Sequence, residues 1–539
     1  MLTHGKRAAT LIVAALLLST MLAGFAGRTA AQADRPTLRF GVNAADLGTL
    51  DPHYASGTQD RTVVDMIFNG LVRYTPGNSA NMEPDLATAI PEPEMKDGKQ
   101  VWTFTLRDNV MCHPSAQSEA YALTADDVVG SLQASANPET SAFAGEYAGM
   151  TVAKVDDKTV TITMDTPLSP TLFLPKVANY SGGFILCMKA YDAMGADAFK
   201  TSPVGTGPFM FQNYTPQNSV ELVANDQYFR GAPKLAGVSV RYIADSSARE
   251  FGIAGGDLDV IAGLPEAQWV DRINSEGKVK AEVFGVGEAV FVNMNVTVAP
   301  FDDVRVRQAI AYAINRDEHV ALFGAPVGEP IYSVVPAQLM PGGLTQEEAA
   351  AQGLAYDQDI EKAKQLLAEA GHPDGFEITL VTSEMSDYRA NYEVLQAELA
   401  EIGIKVNLNV VDHATMHAQI REDVNPIVIY VAFRPNADVY LTNFFYSESA
   451  IGSPSAITGF AHYSGVDDLI QQARAETDPA KQAELWKQAN AKILTDMAAM
   501  PLDIKNLVYA RTPNVDYGHE LVSSLALYPQ ITELTTISQ

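Results

Sequence analysis

The 539-residue sequence is poor in cysteine, and beyond its first 33 residues it lacks long apolar runs. Its two cysteines, Cys112 and Cys187, each flank a segment with strand character. A single disulfide and two buried free thiols are both compatible with that placement. After residue 33 no apolar run reaches the roughly eighteen residues that a membrane-spanning helix needs, so we expect a globular mature protein without a span.

Basic residues are also scarce. The chain has 37 Lys and Arg against 65 Asp and Glu, which gives a formal net charge of −28. Three of the basic residues, Lys6, Arg7 and Arg28, lie in a leader that contains no acids, so removing it leaves a net charge of −31. No block of Lys or Arg interrupts this acidity. We therefore do not expect nucleic acid or anionic membrane surfaces as partners.

Signatures of catalysis are missing. Neither Gly-x-Ser-x-Gly nor His-Glu-x-x-His occurs, and the Ser-x-x-Lys at Ser275 to Lys278 lies in a turn-like context. The turn at 205–208, GTGP, is not followed by the Gly-Lys-Ser/Thr of a phosphate loop. We expect no enzyme activity, and a secreted hydrolase remains the alternative from a different class.

One histidine pair invites a metal interpretation. His413 and His417 are four residues apart, a spacing that places both on one helical face, and Asp412 adds an oxygen. A solvated polar face explains the same pattern without a metal. The sequence therefore predicts neither a metal site nor a cofactor, and a metal-chelate receptor stays open as an alternative.

Residues 1–33 have the organisation of a signal peptide. Lys6 and Arg7 precede an apolar segment from Ala8 to Ala26, and Ala31-Gln32-Ala33 forms a small-x-small cleavage site. An uncleaved membrane anchor is the competing interpretation, although the apolar segment is short for a span. A lipid anchor is excluded, because the lipobox-like Leu-Ala-Gly is followed by Phe25, which has no thiol.

The mature sequence mixes strand and helix patterns and predicts an α/β fold, with mixed α and β order in its first part. A helix from about 60 to 71 follows an alternating segment at 38–42. Thr124 is the expected N-cap of a helix, and either Asp302 or Asp303 can cap a later one. Strand, helix and strand at 376–410 form an α/β unit. The chain is longer than one hydrophobic core normally supports, so we expect two lobes joined near 293–295 and 505–508.

The stretch from Pro426 to Phe445 brings an apolar run directly to polar groups of opposite charge. Residues 427–433, IVIYVAF, suit a strand buried on both faces. Arg434, Asn436 and Asp438 follow at its carboxyl end, where open α/β sheets bind ligands. A guanidinium grips a carboxylate and a carboxylate holds an ammonium group, so the stretch suits a zwitterion. An ion pair between Arg434 and Asp438 at the surface is the alternative.

Several runs along the chain resemble one family, the large extracellular solute-binding proteins of ABC importers for peptides, nickel and related solutes. The runs lie in the family's order and span nearly the whole mature chain: TLDPHYA (49–55), LTADDVVGSL (123–132), PVGTGPF (203–209), PFDDVRVRQAIAYAINRDE (300–318), YDQDIEKAKQLLAEAGHPDGFEITL (356–380) and ARAETDPAKQAELWKQANAKI (473–493).

The resemblance implies a two-lobe clamshell of mixed α/β type with an extra subdomain in the amino-terminal lobe. It places the first lobe at 34–294, its subdomain at about 76–200, the second lobe at 295–507 and a return to the first lobe at 508–539. Such proteins close on a solute between the lobes and deliver it to a membrane permease. The resemblance thus implies a periplasmic, monomeric receptor, with an ABC permease complex as its partner.

The resemblance also suggests ligand-binding residues. Peptide-binding members carry a Trp-x-x-Asp motif whose Asp holds the ligand's amino group, and FRPNADVY (433–440) stands at that place, with Asp438 or Ala437 as the match. Arg434 resembles members that grip an acidic group, so we expect a solute with at least one carboxylate, such as a peptide or an opine-like compound. Further candidates are drawn from two other turns: Glu384, Met385, Tyr388, His53 and Tyr54.

Overall fold

The computed structural model describes residues 35–454 and 456–538, so the predicted signal peptide lies outside the described residues. The elements up to residue 294 are β1 (Thr37–Val42), α1 (Thr58–Ile67), β2 (Val72–Thr75), β3 (Asn78–Pro84), β4 (Glu94–Lys96), β5 (Lys99–Thr105), β6 (Met111–Cys112), β7 (Tyr121–Ala122), α2 (Ala125–Ser135), β8 (Met150–Asp156), β9 (Thr159–Met164), α3 (Pro170–Phe173), α4 (Met188–Met194), α5 (Ala196–Phe199), β10 (Phe209–Thr215), β11 (Ser219–Ala224), β12 (Gly237–Tyr242), α6 (Ser246–Ala254), β13 (Val260–Ala262), α7 (Ala267–Glu276) and β14 (Lys280–Met294).

The remaining elements are α8 (Val304–Ala313), α9 (Arg316–Val320), β15 (Gly328–Pro330), α10 (Gln346–Ala351), α11 (Ile360–Glu369), β16 (Glu377–Ser383), α12 (Ser386–Glu401), β17 (Lys405–Val411), α13 (His413–Arg421), β18 (Ile427–Ala432), α14 (Ala437–Phe445), α15 (Asp467–Ala475), α16 (Pro479–Thr495), β19 (Ala499–Arg511), β20 (Val515–Asp516) and β21 (Thr536–Ile537). Two predicted caps are confirmed. Thr124 forms a capping box at the start of α2, and the side chain of Asp303 accepts a hydrogen bond from the Arg305 amide at the start of α8.

One nine-stranded sheet runs through the molecule in the order β10-β11-β12-β1-β13-β19-β14-β18, with β15 paired to β19. β1 pairs in parallel with β12 and β13, whereas β13, β19, β14 and β18 pair antiparallel to one another. The carboxyl ends of β1, β12 and β13 therefore meet at one edge. In open α/β sheets that edge is the usual place for a ligand.

The long strands β14 and β19 cross from the first lobe to the second. They pair up to Phe284 opposite Leu507, and they pair again from Glu288 opposite Lys505, with the register broken in between. An interruption of this kind in continuous strands is where backbone torsions can change when two lobes move. The break lies opposite one predicted hinge, at 505–508. It lies earlier in the chain than the other predicted hinge, at 293–295, because residues 289–294 pair with both β18 and β19.

The second lobe has a core on each face of this sheet. Val290, Val292 and Ile429 belong to the cluster on one face, and Phe291 and Ala432 belong to the cluster on the other. Such alternation is what a strand's period of two produces when both faces are covered. The prediction that the apolar run before Arg434 is a strand buried on both faces is confirmed.

A separate small sheet lies in the part of the chain where the extra subdomain is predicted. A four-stranded sheet in the order β4-β5-β9-β8 packs against α2, and Cys112 and Cys187 form a disulfide within this region, with Cα atoms 6.0 Å apart. Of the two alternatives left open by the sequence, the bridge is therefore the one that the structure shows. Chain segments before Phe284 and after Tyr509 share one hydrophobic cluster, as expected for a chain that returns to its first lobe. The predicted domain boundaries themselves remain predictions.

Among the residues that the structure describes, no helix is both long and apolar enough to cross a membrane.

One buried carboxyl group on β19 allows a stability prediction. Asp503 is fully buried, neither of its oxygens accepts a hydrogen bond from the described residues, and burial raises its pKa from an ordinary 3.8 to about 7. Because the folded-state pKa lies above the unfolded one, the folded protein loses stability as pH rises from about 4 to about 7. We expect Asp503→Asn, which stays neutral, to raise the free energy of unfolding at pH 7.5 by on the order of 2 kcal/mol.

Urea unfolding of both proteins at pH 7.5 and at pH 4 checks this expectation. The difference between the two proteins should shrink toward pH 4. An equal difference at both pH values would contradict the ionisation account.

Candidate functional site

The space between the lobes is floored by the crossing of β14 and β19. A cavity of about 350 Å³ lies here, and its lining includes Asn43 and Gly263 from the carboxyl ends of β1 and β13 and Glu288 and Lys505 from the crossing strands. Lys505 Nζ lies 3.0 Å from Glu288 Oε2. Amide, ammonium and carboxylate groups thus converge on one concave space, an arrangement suited to a polar solute.

Arg249 makes the first-lobe edge of this cavity rigid. Its Nη1 donates hydrogen bonds to Asn43 Oδ1 at 3.1 Å and to the carbonyls of Ile243 and Ala244, and its Nε donates to the Ala262 carbonyl. These acceptors stand at the carboxyl ends of three parallel strands. Burial lowers the pKa of this guanidinium, which is fully enclosed. Its role is therefore to hold the strand ends and Asn43 in place.

A second cavity, of about 420 Å³, lies farther along the same boundary between the lobes. First-lobe residues such as Tyr74 and Leu174 line one side, and Met340, Pro435 and Trp486 line the other. This lining is mainly apolar. The two cavities therefore offer a solute a mixed environment with charged groups over the crossing strands and an apolar environment beside the turn after β18.

Arg434 stands at this turn. Its Nη1 donates to the Phe433 carbonyl at 2.8 Å, and its Cζ lies 5.0 Å from the ring centre of Phe444. Its buried Nε donates to no residue that the structure describes, and no carboxylate among those residues pairs with it. Burial lowers the pKa of the guanidinium, and the first-lobe phenol of Tyr180 is among the groups that oppose this shift. The cation is thus desolvated at the boundary between the lobes, where an incoming carboxylate would complete its contacts.

Asn436 and Asp438 have structural partners. Asn436 Oδ1 accepts a hydrogen bond from the Val439 amide at 3.0 Å and caps α14. Asp438 accepts from Arg474 Nε of α15 at 2.9 Å. Arg474 thus gives the Asp438 carboxylate a structural partner, and the expected role of Asp438 at a ligand's ammonium group stays a prediction. The alternative pair between Arg434 and Asp438 does not form.

The turn after β16 places its predicted residues on the second lobe, at the end of an aromatic strip. Glu384 and Met385 are exposed, and the Tyr388 ring centre lies 4.9 Å from that of His413. The strip, defined by the rings that connect Tyr388 to Arg434, consists of Tyr388, His413, His417, Tyr430 and Phe444. Glu384, Met385 and Tyr388 are therefore compatible with a site rim, and their contact with a solute stays a prediction.

The first-lobe candidates His53 and Tyr54 are placed differently from what the sequence suggested. His53 is buried and its Nε2 lies 3.1 Å from both the Phe184 carbonyl and Ser135 Oγ. Burial lowers the pKa of its imidazole to about 4. Tyr54 Oη donates to the Glu139 carbonyl within the same lobe. The LDPHYA turn thus packs into the first lobe with the His53 ring in the interior, and a contact of His53 or Tyr54 with a solute stays a prediction.

Sequence reasoning missed Asn43, Glu288 and Lys505. Each is a polar residue at the end of, or within, an otherwise apolar strand: Asn43 follows RFGV, Glu288 precedes AVFVNM, and Lys505 follows PLDI. A charge interrupting a covered strand is a signal that could have found the last two, since buried charges need a partner or a ligand. That Glu288 and Lys505 are neighbours beside one cavity required the strand order.

Three comparisons bear on this architecture. The family model described as "Bacterial extracellular solute-binding proteins, family 5 Middle" matches residues 81–453. Heme-binding protein A of Haemophilus influenzae is 27% identical over 92% of each chain, and di/tripeptide-binding protein 2 of Pseudomonas aeruginosa is 26% identical over 93% of this chain and 96% of its own. The solved structure of MoaA from A. tumefaciens R10, in complex with mannopinic acid, is 39% identical, covers 94% of this chain and 100% of its own, and superposes with a TM-score of 0.75.

Two lobes joined by crossing strands, with a cavity at the crossing, are the architecture of a two-lobed binding protein. The comparisons agree, because the matching family and the relatives are named as binding proteins. The chain belongs to family 5 of the bacterial extracellular solute-binding proteins.

Proposed function

We propose that this protein is the periplasmic receptor of an ABC importer and captures a small solute that carries at least one carboxylate, either an opine-type acid such as mannopinic acid or a short peptide. The proposal includes export through cleavage after residue 33 and delivery of the solute to a membrane permease. The solute classes come from similar proteins, one of which was solved with mannopinic acid and another of which is named for di- and tripeptides.

The observation that carries the proposal is the state of Arg434. Arg434 is half-buried, its buried Nε has no partner among the described residues, and none of their carboxylates neutralises it, so an anion that reaches this guanidinium gains a charged hydrogen bond in a partly desolvated place. The chain as a whole is strongly acidic, so the net charge of the protein does not attract an anionic solute. Selectivity for an acid must therefore come from local cations, and Arg434 is next to Pro435, which lines the second cavity.

Calorimetry on solute-free protein tests the proposal with matched ligands. The panel consists of mannopinic acid, a dipeptide, a tripeptide and the methyl ester of each. At least one free acid should bind and raise the melting temperature, and its ester should bind at least tenfold more weakly, because the ester cannot form the bidentate contact. Esters that bind as tightly as the acids would overturn the carboxylate assignment.

A buried contact between the lobes yields a further prediction. Ser169 Oγ, at the start of α3 in the first lobe, donates to Gln482 Oε1 of α16 at 2.7 Å, and both side chains are fully buried. This contact does not involve the solute cavities. We expect Ser169→Ala to lower solute affinity about five- to tenfold, because it removes a hydrogen bond of the lobe-to-lobe contact and leaves Gln482 Oε1 without that donor.

Titration with the solute found by the preceding experiment provides the measurement. Ser275→Ala, at an exposed hydroxyl in the first lobe, serves as the matched control and should leave affinity unchanged. Equal affinities for the unmodified protein and both variants would show that the Ser169 contact does not contribute to closure of the lobes on the solute.

A further inference from the structure

The imidazoles of His413 and His417 converge on one point beside the aromatic strip. Their Nε2 atoms are 3.2 Å apart, and their ring centres are 4.5 Å apart with the planes nearly perpendicular. Both residues lie on α13, one helical turn apart and half-buried. The helix therefore presents two nitrogen atoms close together rather than two side chains that point apart into solvent.

The distance between these atoms fits shared coordination of a metal ion. Transition metals bind imidazole nitrogen at about 2.0–2.1 Å, and two such ligands at angles between square and tetrahedral are roughly 2.9–3.4 Å apart. The observed 3.2 Å falls inside that interval. A metal ion could thus bind both nitrogens without a change of helix geometry.

The surroundings of His413 favour the tautomer whose Nε2 carries a lone pair. Its Nδ1 lies 3.1 Å from Ser383 Oγ, which also accepts a hydrogen bond from the Met385 amide at 3.0 Å and lies 3.5 Å from Glu384 Oε2. When the Ser383 hydroxyl donates its proton to Glu384, its oxygen can accept hydrogen bonds from the Met385 amide and from a protonated His413 Nδ1. With its proton there, His413 keeps the Nε2 lone pair, and a partner of this kind is what metal-binding histidines have in their outer shell.

We propose that His413 and His417 form a two-nitrogen chelating site for a divalent transition metal ion of the Cu²⁺, Ni²⁺ or Zn²⁺ type. Among the residues that the structure describes, no group of three or more His, Cys, Asp or Glu side chains could hold a metal ion, so the other coordination positions take water or donor atoms of a solute. Tyr388 and Tyr430 flank the pair within the strip that leads to Arg434. The site neither includes Arg434 nor depends on the carboxylate assignment.

Titration of metal-free protein, without a histidine tag, with CuCl₂, NiCl₂ or ZnCl₂ at pH 7.5 tests the proposal. One equivalent of Cu²⁺ should bind, and Ni²⁺ and Zn²⁺ should bind more weakly, as their general order of affinity for nitrogen ligands requires. His413→Gln and His417→Gln should each lower Cu²⁺ affinity at least about tenfold, and Ser383→Ala should lower it by about tenfold through loss of the outer partner.

His372→Gln, which removes a half-buried imidazole elsewhere on the second lobe, is the matched control and should bind Cu²⁺ as the unmodified protein does. Circular dichroism and the melting temperature of each variant verify folding. Absence of saturable Cu²⁺ binding, or binding that survives both His413→Gln and His417→Gln unchanged, would overturn the proposal and leave a hydrogen-bonded histidine pair.

Discussion

Arg434→Ala is expected to reduce affinity for the acidic solute more than a hundredfold, equivalent to about 3 kcal/mol. The side chain is half-buried, its buried Nε has no partner among the described residues, and its guanidinium contacts the Phe433 carbonyl and the Phe444 ring. A charged hydrogen bond formed in such a place is strong, because water cannot replace it. Calorimetric titration of the variant and the unmodified protein with the same acid measures the effect.

Two matched substitutions sharpen this expectation. Arg434→Lys retains the charge but loses the planar fork, so we expect an intermediate loss of affinity. Arg421→Ala removes an exposed guanidinium at the end of α13 and should leave affinity unchanged. Unchanged affinity in Arg434→Ala would remove this residue from the site, even if the solute proves to be an acid.

The Cys112→Ser, Cys187→Ser double variant is expected to lose roughly 4 kcal/mol of unfolding free energy. The disulfide closes a loop with a sequence separation of 75. A cross-link of that span restricts the unfolded chain, and the loop-entropy relation gives a value of this size. Urea unfolding monitored by circular dichroism in the absence of reductant measures the difference.

Reduction provides the control for the cysteine variant. The unmodified protein unfolded in the presence of a thiol reductant should match the double variant, and the double variant itself should be insensitive to reductant. A double variant as stable as the oxidised protein would contradict the expected role of the bridge.

The elements around the site were predictable where local pattern determines them. The run at 427–433 predicted a covered strand because each residue type there suits burial on both faces, and the structure confirms it in β18. The helix at 386–401 lies within the strand-helix-strand unit predicted at 376–410, between β16 and β17.

The side-chain partners were not predictable, because they come from distant parts of the chain. Asp438 pairs with Arg474, which lies on a different helix, and nothing near Asp438 in sequence announces that partner. His53 lies in a polar loop but packs beneath Phe184 and Ser135 of the subdomain. Glu288 and Lys505 meet only because β14 and β19 are neighbours in the sheet. Site geometry in this protein is a consequence of topology.

Native mass spectrometry of protein released gently from the periplasm identifies the solute that the protein retains. We expect one intact small molecule bound per chain, with at least one carboxyl group in its fragmentation pattern, and its absence from Arg434→Ala prepared in the same way. A bound solute without a carboxyl group, or an acid that remains bound equally well to Arg434→Ala, would contradict this expectation.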